Sequence, residues 1–475
     1  MSAPQLPSDN RSPWAEPAST MSSERTLPER VDVCILGAGI AGLAVAERLR
    51  ESDLSVAVLD ARHPGAGTSG RSSAKVSTLH GHLAEKIASA HDMAAAVSYI
   101  TANRHGFEWM QKVAAQLPES NWTTIDAVTY ATDTSGERAI EREYECFQRA
   151  GVEARLETTE MPWGTHRALI CPSQAQFDPQ GFINGLTKRL REAGTTIMHP
   201  VRATAVSESR NSVEVTTDAG AIRAGFVVVA TGLPILDRGL HFARTNPRTS
   251  HVIGLAVRGP ELPGAYLSAS DPLRSIRDAR DPEGRRVVLV GGEEHRTGTI
   301  SDTLSCQQEL LDWSARHFDI VDVPYRFSAK DYLTPDHVPF AGPIHPASSR
   351  IHVITGLNKW GFTNAPAAAA IVSAHITDSA SPDWSDLYSA TRLPMAGFDE
   401  LAKAGIQVAR YATTDWVRSL VKDPRHPGQP LGGERQPGCA ATGVCTHLGG
   451  IVRWNNAAET WDCPLHGSRF DTEGH

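Results

Sequence analysis

Two cysteines and two histidines near the C-terminus have the types and spacing of a metal centre. One residue lies between Cys445 and His447, two lie between Cys463 and His466, and fifteen separate the two pairs. Thiolate sulfur and neutral imidazole nitrogen bind zinc and the iron of iron–sulfur clusters. The sequence therefore predicts that these four side chains bind a metal centre.

Two kinds of centre use this set of donors. In a Rieske 2Fe-2S cluster, two thiolates hold one iron and two imidazoles hold the other, whereas zinc binds all four donors in one tetrahedron. The order of the pairs and the glycines near them, Gly449 and Gly467, favour the iron–sulfur cluster, with zinc as the alternative. A small β domain with two cluster-binding loops needs more residues than the segment 433–475 provides. We therefore predict a shortened Rieske-like module.

A second chemical motif lies near the N-terminus. Gly37, Gly39 and Gly42 follow an apolar strand and open a helix, and Asp60 ends the next apolar segment eighteen residues later. Such glycines permit a tight turn, a close approach of the backbone to a pyrophosphate, and close packing of helix on strand. The helix N-terminus favours the anion, and the Asp60 carboxylate can accept a hydrogen bond from a ribose hydroxyl. The motif predicts a bound dinucleotide.

Three further segments are predicted to contact the same ligand. The loop 61–75 contains small residues and cations, which suit a flat, anionic ligand. The apolar strand 225–232 ends in Thr231 and Gly232, at the edge where ligands of parallel sheets bind. Residues 356–361 form a glycine-bearing loop between a strand and an alanine-rich helix, so they repeat the arrangement at the far end of the chain.

Composition limits the classes of protein and partner. The chain has 475 residues, enough for two or more domains, and its net charge of -8 argues against nucleic acid or an anionic membrane as the main partner. No apolar run reaches the length of about eighteen residues that a membrane span needs. Residues 1–29 are rich in Ser, Pro and charge and are predicted to be a disordered tail. We expect a cytoplasmic location.

The segments between the motifs predict the rest of the fold. Apolar residues recur at helical spacing in residues 85–165, which we expect to be mostly helical. Residues 250–300 are expected to form a second sheet, because short apolar runs alternate there with Pro, Gly and Asp-rich turns. A helix is predicted at 397–421, followed by a Pro/Gly linker at 424–433.

The motifs together resemble those of FAD-dependent oxidoreductases of the glycine oxidase and D-amino-acid oxidase type. The resemblance covers about residues 30–378 and rests on the glycine motif and on residues 230–232 and 356–361. More narrowly, residues 73–75 and 325–332 resemble a subgroup that carries a C-terminal Rieske domain.

The resemblance implies bound FAD, with its isoalloxazine ring between the loops 67–75 and 356–364, and a reaction in which a hydride leaves the carbon beside an amine nitrogen. The implied cofactor-binding residues are Gly37, Gly39, Gly42, Asp60, Ala61, Arg62, Ser73, Thr231, Gly232, Gly356, Asn358, Trp360 and Gly361. The candidate catalytic residues are Lys75, Lys359 and Arg296. The implied ligands of the 2Fe-2S cluster are Cys445, His447, Cys463 and His466.

Two positions depart from many Rieske modules. Gly450 and Leu465 stand where those modules carry a pair of disulfide-forming cysteines, and here both cysteines are absent together, as in modules that resemble the ferredoxins of ring-hydroxylating oxygenases. No orphan thiol is left at either position. We therefore expect a module that functions without this covalent link.

These predictions combine into one α/β architecture. A Rossmann-type FAD-binding domain is expected to be interleaved with a mixed-sheet substrate domain, and a small Rieske-like β module follows at the C-terminus. The whole oxidoreductase unit is predicted to span 30–395. Its nucleotide-binding parts are 30–84, 170–245 and 320–378, and its substrate parts are 85–169 and 246–319. The helix and linker follow at 396–432, and the partial Rieske module at 433–475.

The expected function is oxidation of an amine or amino acid, with electrons passed through the Rieske centre to an external one-electron carrier. Two alternatives stay open. One is a flavin oxidase that uses oxygen and keeps a non-functional Rieske remnant. The other is a non-catalytic FAD-binding protein that senses redox state or acts as a scaffold. Substrate identity depends on pocket shape, which the sequence does not give.

Overall fold

The helices and strands of the chain were identified in a computed structural model, which describes residues 4–14, 16–17, 26–392, 445 and 450–471. The helices of this part are α1 (Ile40–Leu49), α2 (Leu83–Ala90), α3 (Met93–Ala114), α4 (Thr134–Arg149), α5 (Pro179–Glu192), α6 (Leu304–Ser314), α7 (Gly361–Ile376) and α8 (Ser385–Tyr388). The strands are β1 (Arg30–Leu36), β2 (Val56–Leu59), β3 (Lys75–Val76), β4 (Thr123–Ala131), β5 (Arg155–Met161), β6 (Gly164–Gln176), β7 (Thr196–Met198), β8 (Ala203–Glu208), β9 (Val213–Thr217), β10 (Gly220–Gly232), β11 (Asn246–Arg258), β12 (Gly264–Ser268), β13 (Arg274–Arg280), β14 (Arg286–Arg296), β15 (Asp319–Leu333), β16 (Phe340–Pro343), β17 (Ile351–Thr355), β18 (Arg453–Asn455), β19 (Thr460–Asp462) and β20 (Arg469–Phe470).

The first sheet carries the glycine motif. Its strands lie in the order β16-β17-β10-β1-β2-β7, and β9 and β8 extend it beside β10. Strands β17, β10, β1, β2 and β7 run parallel and are mostly buried, as expected for a parallel sheet that is covered on both faces. Because parallel strands end at the same edge, the turns after β1, β10 and β17 lie side by side.

Helices α1, α3 and α7 pack together against this sheet. Helix α7 is rich in alanine and buried along nearly its whole length. Gly106 of α3 lies so close to α7 that an added Cβ would be 2.0 Å from the carbonyl oxygen of Thr363. Small side chains therefore let these helices approach closely and fix the position of the turn that precedes α7.

The second sheet has nine strands, in the order β15-β11-β14-β13-β12-β4-β6-β3, with β5 beside β6. It confirms the predicted sheet at 250–300, where β11 to β14 lie. Helices α2, α3 and α4 confirm the helical character of residues 85–165, but β4 in the same segment was not predicted. The first half of β4 is polar and partly exposed, which hides its strand pattern. Strand β15 also lies in this sheet, although residues 320–333 were assigned from the sequence to the nucleotide-binding part.

Part of the predicted disordered tail is ordered against the body of the protein. Arg326 of β15 donates hydrogen bonds to the carbonyl oxygens of Pro7 and Ser8, the first at 2.7 Å. Trp14 is buried and donates from its indole nitrogen to Ser72 O at 3.0 Å. The sequence did not reveal this ordering, because Arg326 and Ser72, which hold the tail, are distant from it in the chain. A single apolar residue, Trp14, among polar ones also gives no periodic pattern.

The third sheet contains β18, β19 and β20, all within residues 453–470. The predicted helix at 397–421 and the linker at 424–433 lie outside the described residues. In the part of the chain that the structure describes, no helix has the length and apolar character needed to cross a membrane.

Substitution of Arg392 by alanine is expected to lower the free energy of unfolding by about 3 to 5 kcal/mol. Arg392 Nε and Nη2 lie 2.8 and 3.0 Å from the two carboxylate oxygens of Asp336, which is fully buried. Removal of the guanidinium leaves a buried charge without its main partner. Arg258→Ala is the control, because its pair with Asp319 is exposed and is worth at most about 1 kcal/mol. Equal losses for both variants in urea unfolding would contradict this assignment.

The same pair should make stability depend on pH. Burial alone would raise the pKa of Asp336, but hydrogen bonds from His91 and Arg392 and the charge of Arg392 hold that pKa below its ordinary value. A carboxyl group with a lowered pKa stabilises the fold above its ordinary pKa and loses this contribution as the pH falls. The difference in stability between the wild type and Arg392→Ala should therefore shrink on acidification.

Candidate functional site

The glycine motif forms a turn whose backbone is open in front of Gly39. Gly37 has a φ of +107°, and a Cβ there would lie 2.6 Å from Ala230 O. A Cβ on Gly42 would lie 1.9 Å from Gly37 O. By contrast, a Cβ on Gly39 would meet only Ser69 Oγ within 4 Å, at 3.1 Å. Gly37 and Gly42 are thus needed for packing, whereas Gly39 leaves space at the N-terminus of α1, as a bound pyrophosphate requires.

Asp60 follows β2 and lies beside this turn. One of its carboxylate oxygens accepts a hydrogen bond from Ala38 N at 2.8 Å, and the other accepts one from Arg62 N at 2.9 Å. Each oxygen can accept a further bond, so the carboxylate can also bind a ribose hydroxyl. Ala61 is half-buried and Arg62 is exposed at the same edge.

The turn after β17 reaches this edge as well. Thr355 ends β17, pairs with Gly232 at the end of β10 and donates a hydrogen bond to its carbonyl oxygen. In the next turn, Gly356, Asn358 and Lys359 have positive φ angles of 68°, 51° and 69°. The structure thus brings together the two loops that lie some three hundred residues apart in the sequence, across the neighbouring strands β1, β10 and β17.

Asn358 and Trp360 shape this second loop in different ways. Asn358 is buried, accepts a hydrogen bond from Thr334 N at 2.8 Å and donates one to Gly356 O at 2.9 Å. Its amide therefore fixes the turn. The Trp360 ring stacks on His80, with ring centroids 4.2 Å apart, directly before α7 begins at Gly361.

Thr231 and Ser73 lie on segments that border the same region. Thr231 is exposed at the end of β10, and its hydroxyl donates to Leu233 O at 2.6 Å. Ser73 is held through its backbone, since its carbonyl oxygen accepts a hydrogen bond from the buried Arg277. Arg277 therefore positions the loop that leads into Lys75.

A small cavity lies between the second sheet and Trp360. Its volume is about 10 Å³, roughly the space of a single water molecule. The residues that line it are Lys75, Ser77, Leu79, Ile125, Ala127, Val128, Thr129, Gln174, Ala175, Ala265, Leu267 and Trp360. Most of these side chains are apolar, and Lys75 is the charged group among them.

Lys75 is held in place by the second sheet. Its Nζ donates to Ser275 Oγ at 2.7 Å and to Tyr266 O at 3.3 Å, and it lies 5.7 Å from the centre of the Trp360 ring. Burial, together with the nearby charges of Arg277 and Lys359, lowers the pKa of Lys75 to about 7. A large fraction of its amine is therefore neutral near physiological pH and able to accept a proton.

Lys359 connects the second loop to the second sheet. Its Nζ contacts the carboxylate of Glu294 and donates to Ser250 Oγ at 3.0 Å. Lys359 does not line the cavity that Lys75 faces. These contacts place it between the two sheets, at the join of the nucleotide and substrate parts.

Arg296 lies at a different place from the other two candidate catalytic residues. Its guanidinium donates to Pro464 O at 3.3 Å and to Leu465 O at 3.5 Å, in the C-terminal segment. It does not line the cavity. The structure therefore brings Lys75 and the predicted FAD loops together and separates Arg296 from them.

Three of the four predicted metal ligands converge in the C-terminal segment. Cys445, Cys463 and His466 are buried, and their ligand atoms lie within 4.8 Å of one another. The two sulfurs are 3.5 and 3.4 Å from the two ring nitrogens of His466. The fourth predicted ligand, His447, lies outside the described residues. The donor set fits either an iron–sulfur cluster or zinc.

The positions that lack the disulfide-forming cysteines are in contact. A Cβ on Gly450 would lie 2.7 Å from Leu465 Cδ1 and 3.0 Å from Cys463 Sγ. The two predicted cluster-binding loops thus meet through an apolar side chain packed on a glycine.

The C-terminal segment docks on the second sheet and on α6. Asn456 Oδ1 accepts hydrogen bonds from Thr303 N at 2.8 Å and from Leu304 N at 3.1 Å, so it caps the N-terminus of α6. Arg326 of β15 donates to Ala457 O at 2.8 Å, and Lys330 of the same strand contacts Gly467 O. The metal-ligand loops are therefore fixed against the oxidoreductase body.

Several residues of these sites were not found from the sequence. Ser275, Tyr266 and Arg277 position Lys75 and its loop. None belongs to a local motif. They come to the site by strand register, so only knowledge of the sheet pairing would have identified them.

Comparison with known proteins agrees with this architecture. A model of the family described as DAO, FAD dependent oxidoreductase, matches residues 32–375. YhfW of Bacillus subtilis (strain 168), which is named as a Rieske 2Fe-2S iron-sulfur protein, is 26% identical to this chain over 465 residues. The alignment covers 93% of this chain and 90% of YhfW. A stretch of 31 residues, 6% of this chain and 17% of the relative, is 52% identical to the cytochrome b6-f complex iron-sulfur subunit of Prochlorococcus marinus (strain NATL1A).

The fold is also similar to a solved structure. Glycine oxidase from Geobacillus kaustophilus superposes with a TM-score of 0.64 and 17% sequence identity, over 77% of this chain and 100% of that chain. The family model covers well over half of the chain, from β1 to α7. The protein therefore belongs to the family of FAD-dependent oxidoreductases.

Proposed function

We propose that the protein oxidises a small amine or amino acid and passes the electrons through a Rieske-type 2Fe-2S centre to an external one-electron carrier. The observation that carries the substrate half is Lys75, an amine with a pKa near 7 at an apolar cavity beside the predicted FAD loops. The observation that carries the electron-transfer half is the convergence of Cys445, Cys463 and His466 in a segment docked on the same body.

The lining of the cavity, apolar side chains around one amine, has the chemistry that a small amine substrate needs. When bound, FAD supplies the acceptor for the hydride that leaves the carbon next to nitrogen. Val128 and Leu267 line the cavity and give it apolar walls. Lys75 accepts the proton of a substrate ammonium group, so the nitrogen lone pair becomes available as the hydride leaves. The substrate ammonium thus loses one proton to Lys75 and one hydride, which carries both electrons, to the flavin, and becomes a protonated imine.

The C-terminal centre suits the transfer of electrons from the flavin to an external carrier, because a 2Fe-2S centre carries one electron at a time. Two transfers per substrate then balance the two electrons of the hydride, and the final acceptor is a one-electron carrier. The names of two relatives, YhfW and the cytochrome b6-f iron-sulfur subunit, support iron rather than zinc in this site.

Iron analysis and electron paramagnetic resonance of the purified protein test this proposal. We expect two iron atoms and one FAD per chain, and a reduced 2Fe-2S signal after anaerobic addition of secondary amines or amino acids. Cys463→Ser should keep FAD but lose both the iron and the signal. The control Cys146→Ser replaces a buried cysteine outside the cluster and should keep both.

Other outcomes would point to the competing functions. Protein without iron that consumes oxygen with an amine would be a flavin oxidase with a Rieske remnant. Protein that holds FAD but is not reduced by any amine would be a non-catalytic FAD-binding protein. Zinc in place of iron at Cys463 would contradict the electron-transfer half and leave the substrate half standing.

A further inference from the structure

A second group of potential metal ligands lies in the substrate half of the protein, on the side that the C-terminal segment contacts through Arg296. His251 of β11, His295 of β14 and Cys306 of α6 are all buried. One ligand atom from each lies within 4.8 Å of the others. The two imidazole rings are stacked nearly parallel, with centroids 5.2 Å apart. Nothing in the proposed reaction uses these three side chains.

Two buried polar side chains at this group, His251 and Ser328, have no hydrogen-bond partner among the described residues. His251 is completely buried, and neither of its ring nitrogens has a hydrogen-bond partner among the described residues. Ser328 pairs with His251 in the strand register, and its buried hydroxyl also lacks a partner among those residues. A buried polar group without a partner is unfavourable, because it has lost its hydrogen bonds to water. A bound ion would satisfy several of them at once.

The orientation of His295 is already fixed in the way that metal-binding histidines require. Its Nδ1 lies 3.4 Å from the carbonyl oxygen of Glu293. A backbone contact on one nitrogen sets the tautomer and leaves Nε2 for a metal.

We propose that His251, His295 and Cys306 bind a zinc ion, with the fourth position filled by the Ser328 hydroxyl or by water. Zinc accepts imidazole nitrogen, thiolate sulfur and oxygen in a tetrahedron. Zinc–ligand distances of about 2.0 to 2.3 Å separate the ligand atoms by roughly 3.3 to 3.8 Å. The three ligand atoms lie within 4.8 Å of one another, so a small inward movement of the side chains would bring them to these separations.

The position of the site indicates a structural role. The ion would join two adjacent strands to α6, close to the end of the helix that Asn456 caps from the C-terminal segment. It would hold in place the surface on which the C-terminal segment docks. The zinc site is independent of the proposed reaction, because it shares no residue with the cavity or with the Cys445, Cys463 and His466 group.

Metal analysis of the full chain tests the proposal. All variants are made in a background that carries both Cys445→Ser and Cys463→Ser, so that neither predicted C-terminal thiolate ligand is present. After dialysis against zinc and then against buffer, this parent should retain one zinc per chain. Loss of the thiolate in Cys306→Ser should weaken zinc binding by at least about 100-fold, whereas Cys146→Ser, also a buried cysteine, should retain zinc.

Cobalt substitution gives a readout that does not depend on activity. Co²⁺ bound to a thiolate has a charge-transfer band, so we expect this band in the parent and in Cys146→Ser but not in Cys306→Ser. His295→Gln should also lose it, which provides a second variant should Cys306→Ser fail to fold. Parent protein that retains no zinc, retains copper instead, or binds zinc equally in all the variants would overturn the proposal.

Discussion

A Gly39→Val variant is expected to fold but to bind FAD at least about 100-fold more weakly, a loss of about 3 kcal/mol. Gly39 has an extended backbone, with φ -80° and ψ -178°, which valine adopts readily. The only atom near an added Cβ is Ser69 Oγ, at the end of a short side chain. The new methyl groups would therefore leave the fold intact and fill the space that the pyrophosphate needs.

The FAD content of the purified variant and titration of the apoprotein with FAD give the measurement. Gly291→Ala is the matched control, because a Cβ there meets its nearest neighbour at 3.5 Å, an ordinary contact. Circular dichroism confirms that both variants are folded. If Gly39→Val bound FAD as tightly as the control does, the pyrophosphate could not lie at this turn.

Lys75→Met is expected to slow the reduction of bound FAD by amine substrate by about 100-fold, within the range of roughly 10² to 10⁴ for a general base. The substitution keeps an unbranched side chain, one atom shorter, and removes the proton acceptor. Lys188→Met, on the exposed side of α5, is the control and should have no effect. Stopped-flow absorbance under anaerobic conditions gives the rate.

The pH dependence separates a chemical role from a packing role. Because the pKa of Lys75 is lowered to about 7, the neutral amine predominates above that pH. The wild-type rate should rise with pH and level off above about 7, and Lys75→Met should lack this inflection. A slower variant that keeps the same inflection would show that Lys75 only shapes the cavity.

Much of the first sheet could be predicted because its signals are local. The turn at Gly37, Gly39 and Gly42 and the acid at Asp60 lie within one strand-helix-strand unit. The second loop, 356–361, also carries its own glycines and follows its own apolar strand. Parallel strands then require both turns to share an edge, and the structure has that arrangement.

The second sheet was harder to predict because it depends on distant pairing. Strand β4 pairs with β12, more than a hundred residues later, and with β6. Its polar start masks the alternation that would have identified it. The same holds for Trp14, which is buried by contacts with Ser72 and Arg277 that no local pattern encodes.

The site was predicted unevenly for the same reason. Lys75 was a candidate from a loop of small and cationic residues, and the structure places it at the cavity. Arg296 was a candidate because it ends a strand among other ionisable residues, but the C-terminal segment covers that strand end. The His251, His295 and Cys306 group has no motif spacing at all, since three separate elements contribute one residue each.

Anaerobic titration of the purified wild-type protein with glycine, with L-proline and with small secondary amines tests the central claim most directly. With the two loops binding one FAD beside Lys75, we expect one tightly bound FAD per chain and a stoichiometric loss of its visible absorbance with at least one amine. A colourless protein that takes up no FAD, or a flavin spectrum that no amine changes, would contradict the claim.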